Sequence, residues 1–150
     1  MLIEIQALVA STAFVTPARR STGLDQNRLA LLLAVLEKRM GYTLHRNDVY
    51  VAVTGGLKIV EPGIDLGVLI AIASSFSNRS IDSDTVVMGE VGLGGEVRSI
   101  PRVELRLKEA LNMGFKRCVL PKRNLKGMTL KGIALIGVER VEDAIRELLS

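Results

Sequence analysis

The chain has 150 residues, 48% of them apolar and 24% charged, which is typical of one folded domain with a sizeable core. Its single cysteine, Cys118, lies in an apolar segment, which excludes an intramolecular disulfide and a zinc cluster. The net charge is +4, and neither a signal peptide nor a membrane-spanning stretch is recognisable, so we expect a cytoplasmic protein without membrane contact.

Periodicity and turn residues predict strands and helices that mix without a strict strand–helix–strand rhythm. The predicted strands cover residues 2–9, 14–20, 48–53, 57–60, 85–88, 115–120 and 133–138. The predicted helices cover residues 24–40, 66–73, 102–113 and 141–149. This order favours an α+β domain, or an α/β domain with a mixed sheet.

Turn and capping residues predict where several of these elements begin. Thr22 and Asp25 resemble a capping box at the start of the first helix. Gly55-Gly56 allows a tight reversal with positive φ between two strands. Pro101 is expected at the first position of the third helix. Residues 89–100 contain four glycines, which predict a hairpin rather than a phosphate-binding loop, because no Lys-Ser/Thr pair follows.

The helix at residues 66–73 is apolar on every side, so we expect it to be buried at the centre of the fold. A lone carboxylate, Asp65, lies in its first turn. One interpretation is a helix N-cap, in which the side-chain oxygen accepts free backbone N–H groups. The other pairs Asp65 with Arg106 on the later helix, where the simple alternative for Arg106 is a solvated helix face.

The sequence offers no other set of residues that carries a recognisable chemistry. No Walker motif and no Ser-His-Asp set can be assembled. His45, the only histidine, lies in a polar loop without a nearby cysteine or second histidine, so no metal site is expected.

Positive charge is concentrated in one part of the chain. Residues 98–131 contain ten Lys or Arg and two Glu, a local charge of +8, so the remaining residues sum to −4. This asymmetry suggests a polyanion or an acidic partner for one face, and the alternative is a solvated basic surface. Base stacking is not expected, because aromatic residues are few and both tyrosines lie outside the basic segment.

Several long segments together resemble the carboxy-terminal domain of the bacterial RadA (Sms) family. They are IEIQALV, TGLDQNRLALLLAVLEKR, DVYVAVTGGLKI, DLGVLIAIASS, VVMGEVGLGGEVRSIPRVELRLKEALNMGFKRCVLPKRN and IALIGVERVEDAI. The resemblance covers almost the whole chain. It implies an α/β (α+β) fold similar to the proteolytic domain of Lon protease, with mixed sheets and packed helices, over residues 1–150.

The resemblance to Lon also implies a vestigial catalytic site. The Pro-Ser-Ala-Gly motif of Lon falls on residues 64–67, with the serine position occupied by Asp65, and the Lon lysine falls on Arg106. An aspartate lacks the hydroxyl that forms an acyl-enzyme, and an arginine stays protonated at neutral pH. We therefore expect no peptidase activity, and a Lon-like serine peptidase is the least favoured function.

The RadA resemblance implies a longer protein. In that family an amino-terminal zinc finger and a RecA-like ATPase precede this domain, and the whole forms hexameric rings that promote branch migration in DNA recombination and repair. Neither part is present in this sequence, so we expect an excised domain without cofactors of its own. ATP, Mg and Zn would bind only to the missing parts.

We therefore expect a non-catalytic module that contributes DNA binding and ring assembly, with a purely structural oligomerisation domain as the alternative. Single-stranded or branched DNA would be bound with weak sequence preference, through phosphate contacts. Arg19 and Arg20 are adjacent in a strand, so they should point to opposite faces. The candidate contacts are Arg19, Arg20, Arg28, Arg98, Arg102, Lys122, Arg123 and Lys126.

Overall fold

The computed structural model describes residues 2–55 and 61–149, and these residues form eight strands and four helices. The strands are β1 (Glu4–Ser11), β2 (Arg19–Thr22), β3 (Asn47–Thr54), β4 (Thr85–Val87), β5 (Glu90–Val91), β6 (Val97–Arg98), β7 (Arg117–Pro121) and β8 (Ala134–Val138). The helices are α1 (Gln26–Met40), α2 (Asp65–Ser77), α3 (Val103–Asn112) and α4 (Val141–Leu149). Short 3₁₀ turns cover Pro62–Ile64 and Lys122–Leu125.

The strands form three small sheets. In the first, with the order β1-β3-β2, β3 is central, antiparallel to β1 and parallel to β2. The second, with the order β4-β7-β8, is parallel throughout. The third is the predicted glycine-rich hairpin of β5 and β6. The chain is thus a mixed α+β domain, as the order of predicted elements indicated.

Helix α2 lies at the centre of the larger of two hydrophobic cores, as its apolar sequence predicted. It packs against β1, α1 and α4. Gly67 lies where α2 meets β1, since a Cβ at this position would be 3.0 Å from Cδ1 of Ile5. The smaller core joins α3 to β7 and includes Cys118. Among the described residues, no helix has the length and apolar content needed to cross a membrane.

Two predicted helix starts are wrong in detail. Asp25 is itself the N-cap of α1, accepting the backbone N–H of Arg28 at 3.2 Å, so Thr22 is not the capping residue. Pro101 precedes the N-cap of α3, which is Arg102 in a left-handed conformation with φ of 57°. The N-cap of α1 therefore lies three residues after the predicted Thr22, and α3 begins at Val103, two residues after the predicted Pro101.

The second strand also differs from its prediction. It begins at Arg19 instead of residue 14, because Pro17 cannot donate to the ladder, and it lies at a sheet edge as expected. The predicted strand at residues 57–60, and Gly56 of the turn before it, lie outside the described residues.

Candidate functional site

Asp65 is the first residue of α2, and its side chain is only 1% exposed. It accepts hydrogen bonds from Nε of Arg28 at 2.7 Å and from Nη2 of the same guanidinium. Its Oδ2 also accepts the backbone N–H of Val91 at 3.0 Å. One carboxylate therefore connects the starts of α1 and α2 to strand β5, and all of these bonds are charge-assisted.

The buried charge of Asp65 is compensated by this arrangement. A carboxylate removed from water needs both a counter-ion and hydrogen-bond donors, and Arg28 and Val91 supply them. The hydrogen bonds to Asp65 raise the pKa of the Arg28 guanidinium, and the negative charges of Asp65 and Glu90 act in the same direction. The positive end of the α2 dipole also favours a carboxylate at this position.

The predicted pairing of Asp65 with Arg106 is wrong. Arg106 forms an ion pair with Glu61 and donates from Nε to the carbonyl of Pro101 at 3.0 Å. The guanidinium does reach the segment before α2, because a Cβ on Gly63 would lie 3.5 Å from its Nη1. Asp65 and the guanidinium of Arg106, which occupy the positions compared with the Lon dyad, thus both lie near the start of α2 but in separate ion pairs.

The N-cap interpretation of Asp65 is also wrong. The N-cap of α2 is Ile64, whose apolar side chain makes no capping hydrogen bond. The side chain of Asp65 points away from its own helix, toward α1 and β5. The hairpin is held beside it by backbone bonds, in which Leu66 donates to Gly89 and Gly89 donates to Gly63, each at 3.0 Å.

Sequence reasoning assigned Arg28 to DNA binding and so missed its role in the core. A signal was present, because Arg28 stands four and seven residues before Leu32 and Val35, which are buried. Residues at this spacing share one face of a helix. An arginine on the core-facing side of α1 requires a buried partner, and Asp65 is the one that the fold supplies.

Four of the eight predicted DNA contacts line one open groove with a volume of about 1090 Å³. They are Arg98, Lys122, Arg123 and Lys126. Arg98 comes from β6, and the other three come from the 3₁₀ turn after β7 and the residue that follows it. The fold therefore brings together cations that are up to 28 positions apart in the sequence.

The groove contains a fifth cation that the sequence analysis missed, and three carboxylates. Arg140 lines it just before α4, outside the basic segment from which the candidates were drawn. The carboxylates are Glu90, Glu96 and Glu139. Five cations against three anions leave the lining with a net positive charge.

The cations of the groove differ in how they are already paired. Lys122 lies 3.1 Å from Glu139, and Arg98 lies 3.0 Å from Glu96, in pairs whose side chains are 40–66% exposed. Arg123 makes no ion pair within residues 2–55 and 61–149, and the same holds for Lys126. Exposed pairs of this kind are weak, so the lysine and arginine can exchange their carboxylates for another anion.

The other four predicted contacts are not brought into the groove. Arg28 is held by Asp65. Arg19 donates to the backbone carbonyls of Leu44, at 2.9 Å, and of Asn47, so it supports the turn before β3. Arg20 is exposed on β2, and Arg102 is exposed at the start of α3. The alternation of burial along β2 agrees with the predicted opposite directions of Arg19 and Arg20.

Within the described part of the chain, no group of three or more His, Cys, Asp or Glu residues could hold a metal ion. Burial raises the pKa of the Cys118 thiol to about 12, so this side chain remains protonated at neutral pH and is a poor metal ligand and nucleophile.

Comparison with known proteins gives two results, a family match and a set of similar curated proteins. Residues 9–124 match the family described as subunit ChlI of Mg-chelatase. Among curated proteins, the chain is 49% identical over 146 residues to the DNA repair protein RadA of Halalkalibacterium halodurans and 51% identical over 147 residues to RadA of Bacillus subtilis. RadA of Chlamydia pneumoniae is 48% identical over 152 residues. The alignments cover 97–99% of this chain but only 32–34% of those relatives, so it spans about a third of their length.

Proposed function

We propose a function from one premise, namely that the chain belongs to the family described as subunit ChlI of Mg-chelatase and is homologous to the carboxy-terminal part of bacterial RadA. In this proposal the chain is a non-catalytic module of a RadA-type DNA repair protein. Its basic groove binds the phosphate backbone of DNA, with little dependence on base sequence.

The observation that carries this proposal is the convergence of Arg98, Lys122, Arg123, Lys126 and Arg140 on one groove. Phosphate contacts need cations that are accessible and free to move, and Arg123 and Lys126 are both exposed. The relatives are named as DNA repair proteins, and DNA is a polyanion that such a groove would bind.

The state of Asp65 supports the absence of peptidase activity. Its oxygens are engaged by Arg28 and by the N–H of Val91, and the position has no hydroxyl. We extend the proposal to a Lon-like fold, to ring assembly in a longer cytoplasmic protein, and to branch migration carried by the parts of that protein that bind ATP, Mg and Zn. Hydrolysis of labelled casein that is lost in Asp65→Ala would contradict the non-catalytic role.

A purely structural oligomerisation module is the alternative, and one observation favours it. Lys122 and Arg98 are already neutralised by Glu139 and Glu96, which would make their charge incidental. Under this alternative, DNA affinity would be weak and would not depend on the groove residues more than on other exposed cations.

The test compares two variants that remove the same charge. The groove variant combines Lys122→Ala, Arg123→Ala and Lys126→Ala. The control variant combines Lys38→Ala, Lys108→Ala and Lys131→Ala, three exposed positions that do not line the groove. Binding to single-stranded, duplex and forked DNA is measured by fluorescence anisotropy over a salt range of about 50–200 mM, in which the affinity for DNA of a protein with several phosphate contacts changes strongly.

The groove variant should bind every sequence more weakly and should depend less on salt. Loss of three phosphate contacts reduces the slope of log K against log salt by about 2 for single strands and about 3 for duplex DNA. The control variant should keep the slope of the original chain. Equal effects of the two variants would favour the structural alternative and reject the groove.

A further inference from the structure

The first sheet has one face on the core and one face directed outward. Along the central strand β3, Val49, Val51 and Val53 are buried against the core. Since side chains alternate along a strand, Tyr50 and Ala52 lie on the opposite face. A tyrosine therefore occupies the middle of the outer face of a three-stranded sheet.

The strand register places two further residues beside this tyrosine. Leu8 of β1 is paired with Tyr50 on one side, and Arg20 of β2 is paired with it on the other. Leu8 is 58% exposed, and Arg20 is exposed as well. The row Leu8–Tyr50–Arg20 thus crosses all three strands and presents an apolar, an aromatic and a cationic side chain to one side.

A second aromatic residue reaches the same place from the segment between β1 and β2. Phe14 is 61% exposed and, with Tyr50, Arg19 and Arg20, lines a hollow of about 740 Å³. The chain has only five aromatic residues. The other three pack inward, with Tyr42 stacked on Phe76 at 4.9 Å in the large core and Phe115 against the small one.

The charge of the hollow is positive. Among the residues that the structure describes, two arginines line it, and no Asp or Glu does. The nearby carboxylate of Asp48 is buried, and its Oδ1 accepts the N–H of Ala18 at 2.8 Å. Within the described residues, Arg20 has no carboxylate partner, so its guanidinium is available to an incoming anion.

We propose that this outer face, formed by Phe14, Tyr50, Leu8 and Arg20, is a stacking platform for single-stranded nucleic acid. The small number of aromatic residues predicted no base stacking, but the fold places two of the five, Phe14 and Tyr50, at one hollow. Unpaired bases stack on these two rings, and Arg20 binds the adjoining phosphate. A nucleotide carries both a flat base and a negative phosphate. The two aromatic rings suit the base, and the exposed cation beside them suits the phosphate. A second copy of the chain would bring a net charge of +4 to a positive hollow, which disfavours self-association through this face.

The platform is distinct from the proposed groove, because it is formed by other elements and would contact bases as well as phosphates. The first test compares an oligothymidine with an abasic strand of the same length, because both carry the same phosphates. Phe14→Ala, an exposed change, should weaken binding of the oligothymidine about 10-fold, within the range for one stacked base, and leave the abasic strand unchanged. Tyr50→Phe should bind like the original chain, and Tyr50→Leu should lose about as much as Phe14→Ala.

The second test reads stacking directly. The chain has no tryptophan and two tyrosines, so a Tyr42→Phe variant leaves Tyr50 as the single strong emitter. Oligothymidine should quench this emission on binding, whereas the abasic strand should not. The groove variant, Lys122→Ala with Arg123→Ala and Lys126→Ala, should still show quenching at saturating DNA in low salt.

Equal affinity for base-bearing and abasic strands, or unchanged Tyr50 emission at saturation, would overturn the platform. If duplex DNA still bound through the groove, only this inference would fail, and if no DNA bound at all, the proposed function would fail with it. Sedimentation that shows self-association lost in Phe14→Ala, without an effect on DNA, would assign the face to a second copy and also overturn the platform.

Discussion

Replacing Asp65 by alanine should destabilise the chain more than any change to a surface ion pair. The carboxylate is 1% exposed and accepts hydrogen bonds from Arg28 and from the backbone of Val91. Its removal leaves a guanidinium and a buried N–H without their acceptor. Breaking a buried pair in this way strands the remaining charge, and the cost of that exceeds the net value of the pair itself.

The magnitude follows from the exposure of the groups that remain. Loss of one partner of a buried pair costs about 3–5 kcal/mol, and the 31% exposure of the Arg28 side chain allows some hydration, which favours the lower end. The unsatisfied N–H of Val91 adds about 1 kcal/mol. The sum of about 4 kcal/mol should lower the melting temperature by about 8–16 °C for a chain of this size.

The assay is a pair of double-mutant cycles, in which the free energy of unfolding of each variant is measured by urea denaturation. Asp65→Ala combined with Arg28→Ala should show a coupling energy of about 2–3 kcal/mol. Asp65→Ala combined with Arg106→Ala should be additive within about 0.5 kcal/mol, because Arg106 bonds to Glu61 instead. As a control, Glu139→Ala breaks the exposed pair with Lys122 and should cost no more than about 1 kcal/mol.

Two results would refute this reasoning. Stronger coupling of Asp65 to Arg106 than to Arg28 would mean that the pair compared with the Lon dyad forms in solution. A loss for Asp65→Ala as small as that for Glu139→Ala would mean that the carboxylate is hydrated and not part of the core.

Two further predictions concern a turn and the single thiol. Gly23→Ala should cost more than about 2 kcal/mol in urea unfolding, because its φ of 77° is left-handed and a Cβ would overlap the Val53 carbonyl oxygen. Gly41→Ala, with φ of 69° and open space around it, should cost only about 1 kcal/mol, and equal losses would contradict the overlap. At pH 8 the thiol of Cys118 should react with a disulfide reagent about a thousandfold more slowly than in the unfolded chain, because burial raises its pKa from 9.0 to about 12. As its pKa is the higher one in the folded state, the free energy of unfolding should fall as the pH rises from about 9 to about 12, and a flat profile would contradict this.

The elements could be predicted from the sequence because their signals are local. The all-round apolar pattern of α2 and the glycines of the β5–β6 hairpin each lie within a dozen residues. The bounds of α4 are those predicted, Val141–Leu149. The errors at Asp25 and Pro101 are local too, since a capping signal fixes a helix start only to within a turn.

Partners of charged residues could not be predicted in the same way, because they depend on packing between distant segments. Asp65 lies 37 positions from Arg28 and 41 from Arg106, and nothing in these separations favours one over the other. The choice is made by the α1–α2 contact, which places the core-facing side of α1 over the start of α2. The resemblance to Lon led to the pairing of Asp65 with Arg106, whereas the partner of Asp65 is Arg28.

The same limit applies to charge patterns as evidence for a binding surface. The cluster of cations in residues 98–131 includes Arg106, which forms an ion pair with Glu61. It omits Arg140, which lines the groove. It also gives no weight to Arg20, which is paired with Tyr50 only because β2 lies parallel to β3. Accessibility and neighbours, and not the count of cations, decide which charges a polyanion can use, since a cation that already holds a buried carboxylate must break that pair to bind another. The arginines held inside the fold, such as Arg28, therefore contribute to its stability, and we propose that the exposed ones around the groove and the outer sheet face contribute to binding.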